Sequence, residues 1–308
     1  MKIGVIFPQI EIGCDPSILR DFAETAEAVG FSHISAFDHI LGAEHSERDP
    51  ELTGPYLETD DFHEPLTLFS FFAGVTRAIE FVTGVLVLPQ RQAPLVAKQA
   101  AELAILSQGR FRLGIGVGWN YVEYEGMGEE FRSRGRRLDE QVSVMRQLWS
   151  GQVLSYEGEW HHFERIAMSP IPPNPVPIWF GGFSPAAQRR AARIGDGFLF
   201  ARVGDSVSGG RPTHDVSTII DQSQEMKQMV ERFGRDPQKF GLEGRINFRD
   251  GSETWRRERD LFEKAGFDYI AINTMRGGIR SPQGHVDVLK EIADQLELHP
   301  RDDKVVYK

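Results

Sequence analysis

FVTGVLVL at residues 81–88 and FRLGIGV at residues 111–117 are short, largely apolar segments, the first rich in β-branched residues. Between them, residues 94–106 carry apolar side chains at the three- and four-residue spacing of a helix. A strand that is apolar on both faces is typical of a parallel sheet, because the crossover helices cover both faces. This stretch therefore predicts a strand–helix–strand unit of an α/β protein.

The same alternation runs through the rest of the chain. Other strands are predicted at residues 2–7, 33–37, 178–180, 197–201, 240–248 (weakly) and 269–273, and other helices at 16–29, 64–72, 135–149, 185–194, 216–233, 253–265 and 285–296. Eight strand–helix pairs favour a closed (β/α)8 TIM barrel over an open doubly wound sheet. We expect one α/β barrel domain at residues 1–298 and a polar tail at residues 299–308.

Three long segments interrupt the alternation. They are residues 41–62, 150–177 and 203–215, and the second contains a predicted hairpin at residues 153–163. Loops this long inside a compact domain are usually functional lids or mobile segments. Those that follow strands lie at the carboxyl end of a barrel, where barrel enzymes keep their active sites.

Composition excludes several classes of function. The chain has 35 Lys and Arg against 45 Asp and Glu, a net charge of −10, which argues against a nucleic-acid partner. Cys14 is the single cysteine, so an intrachain disulfide is excluded. The amino-terminal apolar run is too short for a signal peptide, and no run approaches the roughly 18 apolar residues of a membrane span. We expect a cytoplasmic, soluble enzyme.

Asp38 and His39 follow the second predicted strand, at the expected active-site end. A carboxylate beside an imidazole can accept a hydrogen bond while the imidazole works as an acid or base near neutral pH. The alternative is an aspartate that caps the next turn beside a surface histidine. The other histidines are scattered without the spacing of a metal site, so we predict no bound metal.

Glycines mark three further positions in or beside predicted strands. Gly181, Gly182, Phe183 and Ser184 connect a strand to a helix, and free N–H groups with a serine hydroxyl there would bind a phosphate, unless this is an ordinary tight turn. Gly84-Val85 in the middle of a strand indicates close approach of a ligand or room for a neighbouring side chain. Gly114, Gly116 and Gly118 permit a similar approach.

A dinucleotide fingerprint is not predicted at these glycines. The G-x-G-x-x-G pattern is absent, and an aromatic loop at residues 119–121 is expected where that fingerprint has a helix. Arg132, Arg134, Arg136 and Arg137 are read as a solvated helix start that pairs with nearby acidic residues. Arg276 and Arg280, after the last strand, are better placed to bind an anion.

Several motifs are spread along the chain, namely TGVLVLP at residues 83–89, Gln99, LSQGRFRLGIGVGW at 106–119, RRLDE at 136–140, YEG at 156–158, PIWFGG at 177–182 and AARIGDG at 191–197. Together they resemble the bacterial luciferase-like monooxygenase superfamily. The resemblance covers residues 1–296. Residues 37–39 (FDH) are similar to members that use the deazaflavin coenzyme F420.

The resemblance implies a homodimeric barrel with the cofactor ring across its mouth. Asp38 would contact the polar edge of the ring, and His39 would act as acid or base beside the carbon that exchanges hydride. Gly84-Val85 matches a non-prolyl cis peptide behind the ring, and Gly116 lies at the same mouth. The segment from Gly181 to Ser184, including Gly182 and Phe183, matches the turn that binds the cofactor phosphate.

The substrate is expected to be flat and apolar, because Phe37, Trp119 and Tyr121 lie near the predicted mouth. Trp119 stands where sugar-phosphate dehydrogenases of the superfamily have an acid, which argues against a substrate like glucose 6-phosphate. The leading interpretation is hydride transfer between F420 and an organic substrate. The alternatives are an FMN-dependent monooxygenase, which uses O2 and reduced FMN from a partner reductase, and a non-catalytic barrel that binds a flavin.

Overall fold

The computed structural model of the chain describes residues 1–201 and 215–300. The predicted loop at residues 203–215, except Asp215, and residues 301–308 of the predicted tail lie outside the described residues.

A closed parallel β-barrel forms the centre of the fold. Its strands are β1 (Lys2–Ile6), β2 (His33–Ala36), β3 (Glu80–Thr83), β4 (Leu86–Val87), β5 (Phe111–Gly116), β8 (Ile178–Gly181), β9 (Gly197–Leu199), β10 (Gly241–Asn247) and β11 (Tyr269–Asn273). Each pairs in parallel with its neighbours, and pairing of β3 with β5 closes the sheet. The predicted barrel is confirmed. The single strand predicted at residues 81–88 was wrong, because a cis peptide bond between Gly84 and Val85 separates β3 from β4.

Nine α-helices lie within the described residues. They are α1 (Pro16–Ala28), α2 (Pro65–Val75), α3 (Ala93–Leu106), α4 (Tyr121–Gly126), α5 (Arg134–Leu148), α6 (Pro185–Ile194), α7 (Val216–Arg232), α8 (Ser252–Lys264) and α9 (Pro282–Gln295). In α1, α2, α6 and α9 an acidic or serine side chain caps the first turn and proline follows it, an arrangement that satisfies free N–H groups. None of the described helices is long and apolar enough to cross a membrane.

The predicted hairpin is present as β6 (Leu154–Glu157) and β7 (His162–Ile166), which pair antiparallel. Glu140 of α5 holds its turn. The carboxylate accepts hydrogen bonds from the backbone N–H groups of Glu159, Trp160 and His161 at 2.8–3.0 Å. The hairpin is thereby fixed to the outer helical layer.

A charged layer fills the barrel near the amino-terminal ends of its strands. Glu243 of β10 accepts hydrogen bonds from His33 of β2 at 3.3 Å and from Arg112 of β5 at 3.1 Å. The Arg112 guanidinium also lies 4.5 Å from the Trp179 ring centroid and 3.8 Å from that of Tyr269. Strands β2, β5 and β10 are not neighbours in the sheet, so these contacts cross the barrel interior.

This layer predicts an acid-sensitive contribution to stability. Burial alone would raise the pKa of Glu243, but His33 and Arg112 outweigh it and lower the pKa from 4.5 to about 2. A carboxyl with a depressed pKa stabilises the fold above its unfolded pKa, and that contribution is lost as the pH falls from about 4.5 towards about 2. Urea unfolding of the wild type and Glu243→Gln across this range should show their stability difference shrinking as the pH falls. A difference that stays constant with pH would contradict the assignment.

Candidate active site

A cavity of about 520 Å³ opens at the carboxyl-terminal ends of the barrel strands. Eleven of the twelve residues predicted for the site line it, namely Phe37, Asp38, His39, Gly84, Val85, Gly116, Trp119, Gly181, Gly182, Phe183 and Ser184. They come from the ends of β2, β3, β5 and β8 and from the segments that follow, as expected for a barrel enzyme. Tyr121 lies outside the lining, and its hydroxyl donates to the Pro50 carbonyl at 2.5 Å.

One wall of the cavity is built from backbone and from Val85. A Cβ atom at Gly116 would lie 2.6 Å from Val85 Cγ2, and one at Gly181 would lie 2.7 Å from Val85 Cγ1. A Cβ atom cannot lie this close to another carbon atom. β5 and β8 must therefore each have glycine beside Val85. The result is a smooth surface formed by Val85, Gly116 and Gly181, here called the Val85 surface, against which a planar ring can lie.

The turn after β8 brings a helix N-terminus to the edge of this surface. Gly182 has a φ of 145°, in the region that glycine favours. Ser184 caps α6, and its Oγ accepts from the Ala187 N–H at 3.2 Å, which leaves the hydroxyl hydrogen able to donate elsewhere. A helix N-terminus carries partial positive charge, so this turn is suited to a phosphate.

His39 lies in an aromatic enclosure at the cavity wall. The ring centroids of Phe62, Tyr56 and Trp119 are 4.8, 5.2 and 5.6 Å from that of the imidazole. Nδ1 contacts Glu123 Oε2 at 3.2 Å, and Nε2 has no partner among the described residues. One nitrogen is therefore held by the protein while the other remains able to exchange a proton with a ligand.

Glu123 is a site residue that the sequence analysis did not predict. We expected a loop after β5, but Asn120 caps the short helix α4 by accepting from the N–H groups of Val122 and Glu123. An N-cap followed three residues later by glutamate is a recognisable helix start, so the signal was present. Besides His39, Glu123 accepts from the backbone N–H groups of Ile40 and Leu41 at 2.5 and 3.2 Å. Burial opposes its charge, yet these bonds lower the pKa of Glu123.

Asp38 is occupied by contacts within the protein. Its Oδ1 accepts from Arg91 Nη2 at 2.7 Å, and its Oδ2 accepts from the Val87 N–H at 2.8 Å. Burial raises the pKa of Asp38, and both contacts oppose that rise. The carboxylate thus ties the end of β2 to β4. Contact of its side chain with a cofactor, which the resemblance implies, stays a prediction.

The family of the chain follows from comparison with known proteins. Residues 7–277 match the family model described as luciferase-like monooxygenase. The chain belongs to this luciferase-like family. Members are oxidoreductases, so the expectation of an enzyme is confirmed.

One curated relative and two solved structures illustrate what this luciferase-like chain is similar to. An F420-dependent glucose-6-phosphate dehydrogenase of Nakamurella multipartita is 28% identical over 291 residues, which cover 92% of this chain and 76% of the relative. An F420-dependent secondary alcohol dehydrogenase has a TM-score of 0.73 at 18% identity, covering 98% and 99% of the two chains. The monooxygenase RslO1 of Streptomyces bottropensis has a TM-score of 0.70 at 20% identity, covering 96% and 99%. The two structures support the fold alone.

Arginines line much of the remaining wall in this luciferase-like barrel. They are Arg134, Arg245, Arg249 and Arg276, whereas Arg280 is exposed and does not line the cavity. Arg134 was assigned to a solvated cluster, but it packs on Phe131 with its guanidinium carbon 3.7 Å from the ring centroid. The described lining contains one carboxylate, Asp38, and Arg91 neutralises it. The cavity is therefore electropositive, and no metal-binding group of three His, Cys, Asp or Glu occurs in the described part of the chain.

Proposed function

We propose that this luciferase-like oxidoreductase transfers hydride between coenzyme F420 and a small organic substrate. The observation that carries the proposal is the placement of His39 in one cavity with the Val85 surface and the Ser184 turn. An acid–base group, a flat surface and a phosphate-binding turn are what a phosphorylated deazaflavin requires. A volume of about 520 Å³ also falls in the range of small-molecule sites.

The residues of the chain fit this cofactor. Gly116 and Gly181 keep the surface beside Val85 free of other side chains, and Ser184 presents its hydroxyl at the N-terminus of α6. When bound, F420 supplies the hydride-transfer chemistry, and the protein supplies orientation and proton exchange. His39 Nε2 gives or takes the substrate proton, while the Glu123 carboxylate at Nδ1 stabilises the imidazolium form. Tyr56, Phe62 and Trp119 exclude water from the imidazole.

An FMN-dependent monooxygenase is the second candidate, because the family description is that of monooxygenases and RslO1 has this fold. Parallel titration of the purified protein with F420 and FMN, each oxidised and reduced, separates the two by fluorescence and calorimetry. We expect micromolar or tighter binding of F420. Preference for reduced FMN would instead support the monooxygenase, and binding of neither would overturn both.

Ser184→Asp should weaken binding of the phosphorylated cofactor by at least about tenfold, because it places a negative charge at the phosphate turn. Aspartate is itself a good N-cap, so α6 should remain intact. Ser281→Asp is the matched control, since Ser281 caps α9 in the same manner away from the cavity. Equal cofactor affinity in the two variants, measured by fluorescence titration, would remove the turn from the site.

A further inference from the structure

Arg245 lies across the barrel from the Val85 surface. The barrel has eight strand positions, in the order β1, β2, β3 with β4, β5, β8, β9, β10 and β11. β10 is four positions from β4 in either direction, so the two face each other across the cavity. Glu243, Arg245 and Asn247 alternate along β10, and the last two line the cavity above the charged layer that contains Glu243.

The guanidinium of Arg245 is half-buried and held in place by a ring. Its carbon lies 4.7 Å from the centroid of Phe37. Within residues 1–201 and 215–300, no group accepts a hydrogen bond from Arg245. The Glu243 carboxylate below it is already bound by His33 and Arg112. A cation that is partly desolvated without an acceptor is costly, which indicates that a ligand supplies the acceptor.

Polar groups suited to the same ligand surround Arg245. Asn247 and Asn273 are register partners on β10 and β11, and both line the cavity. Arg276 approaches from the loop after β11, and its Nη2 donates to the Pro55 carbonyl at 2.6 Å. Burial raises the pKa of Tyr56 to about 12, so its hydroxyl remains a neutral donor. The described part of this wall thus offers donors and positive charge.

We propose that Arg245 binds an oxyanion group of the substrate, a carboxylate or a phosphate, opposite the cofactor surface. The assignment of the opposite wall to the cofactor rests on the proposed function. A planar guanidinium can donate two parallel hydrogen bonds to either group, which fixes the substrate's orientation as well as its position. Substrates without a negative charge should accordingly be poor ones, which differs from the wholly apolar substrate expected from the aromatic residues near the mouth.

The test is calorimetric titration of the F420-saturated protein with inorganic phosphate and, separately, with malonate at constant ionic strength. Saturation with F420 fills the proposed phosphate site at the Ser184 turn. Binding of an added anion then measures the affinity of the opposite wall, where Arg245 lies. We expect one of the two anions to bind, and Arg245→Met to weaken it by at least about tenfold while F420 affinity changes less than twofold. Arg280→Met is the matched control because Arg280 is exposed, and it should leave both affinities unchanged.

Three results would overturn the proposal. They are the absence of anion binding by the wild type, undiminished anion binding by Arg245→Met, and loss of F420 affinity in Arg245→Met, which would assign Arg245 to the cofactor. If Arg245→Met does not fold, Arg245→Lys replaces it, because lysine keeps the charge but not the paired donors. A several-fold loss of anion affinity is then expected. If the protein binds no F420, the proposed function fails separately, and anion binding in a Ser184→Asp background still tests Arg245.

Discussion

Replacement of His39 by alanine should reduce kcat by about 10²–10⁴-fold and change F420 affinity by only a few-fold. The imidazole lines the cavity, and Glu123 holds its Nδ1 at 3.2 Å, which leaves Nε2 as the nitrogen that can exchange a proton with a ligand. The proposed cofactor surface is made by Val85 and two glycines, which this substitution does not touch. Steady-state kinetics with a substrate found by anaerobic screening, together with F420 titration, measure the two effects separately.

His162→Ala is the control for this experiment. His162 is exposed on β7 and contacts Glu157 at 3.0 Å, outside the cavity lining. The His162→Ala variant should retain full turnover. Unchanged turnover in His39→Ala would remove the histidine from the chemistry. A parallel loss of cofactor affinity would make it a binding residue.

Replacement of Asp38 by alanine should lower the free energy of unfolding by about 2–3 kcal/mol, because it removes the buried acceptor of a charged and a backbone hydrogen bond. Asp38 is 3% exposed, and the change leaves Arg91 with Glu64, 3.0 Å from Nη1, as its acidic partner. It also removes the acceptor of the Val87 N–H, which holds β4. Urea unfolding monitored by circular dichroism gives the value.

Asp287→Ala provides the comparison, because Asp287 is exposed on α9 and interacts only with Gln283 among the described residues. Its loss should cost a few tenths of a kcal/mol. Asp38→Ala and Arg91→Met should also be strongly non-additive when combined, since either change already breaks the pair. If Asp38→Ala were as stable as Asp287→Ala but bound F420 poorly, the carboxylate would serve the cofactor and not the fold.

The barrel could be predicted from sequence because its strands are mostly short apolar runs between capped helices. β10 was the weakest signal, since Glu243, Arg245 and Asn247 alternate along it and face the interior. Polar residues inside a segment make it harder to predict as a strand from its sequence. In β10 these residues form part of the charged layer and of the cavity wall. The break at Gly84-Val85 was foreseen from the resemblance, although periodicity alone gave one continuous strand.

The cavity lining was largely predictable because glycines and polar residues at strand ends meet at one edge. The side-chain pairs that hold the site together could not be predicted. Asp38 and Arg91 are 53 positions apart and His39 and Glu123 are 84 apart, and no local pattern connects them. The inward direction of Arg245 likewise depends on the register of β10 against β11, which only the closed sheet determines.

The charged layer of Glu243, His33 and Arg112 has a kinetic consequence. It fills the interior below the cavity, so ligands must enter and leave past the same loops at the opposite end. The cofactor and the substrate proposed for opposite walls of this cavity would therefore share one entrance. We expect saturating substrate to slow cofactor release, because the departing cofactor must pass the occupied opposite wall.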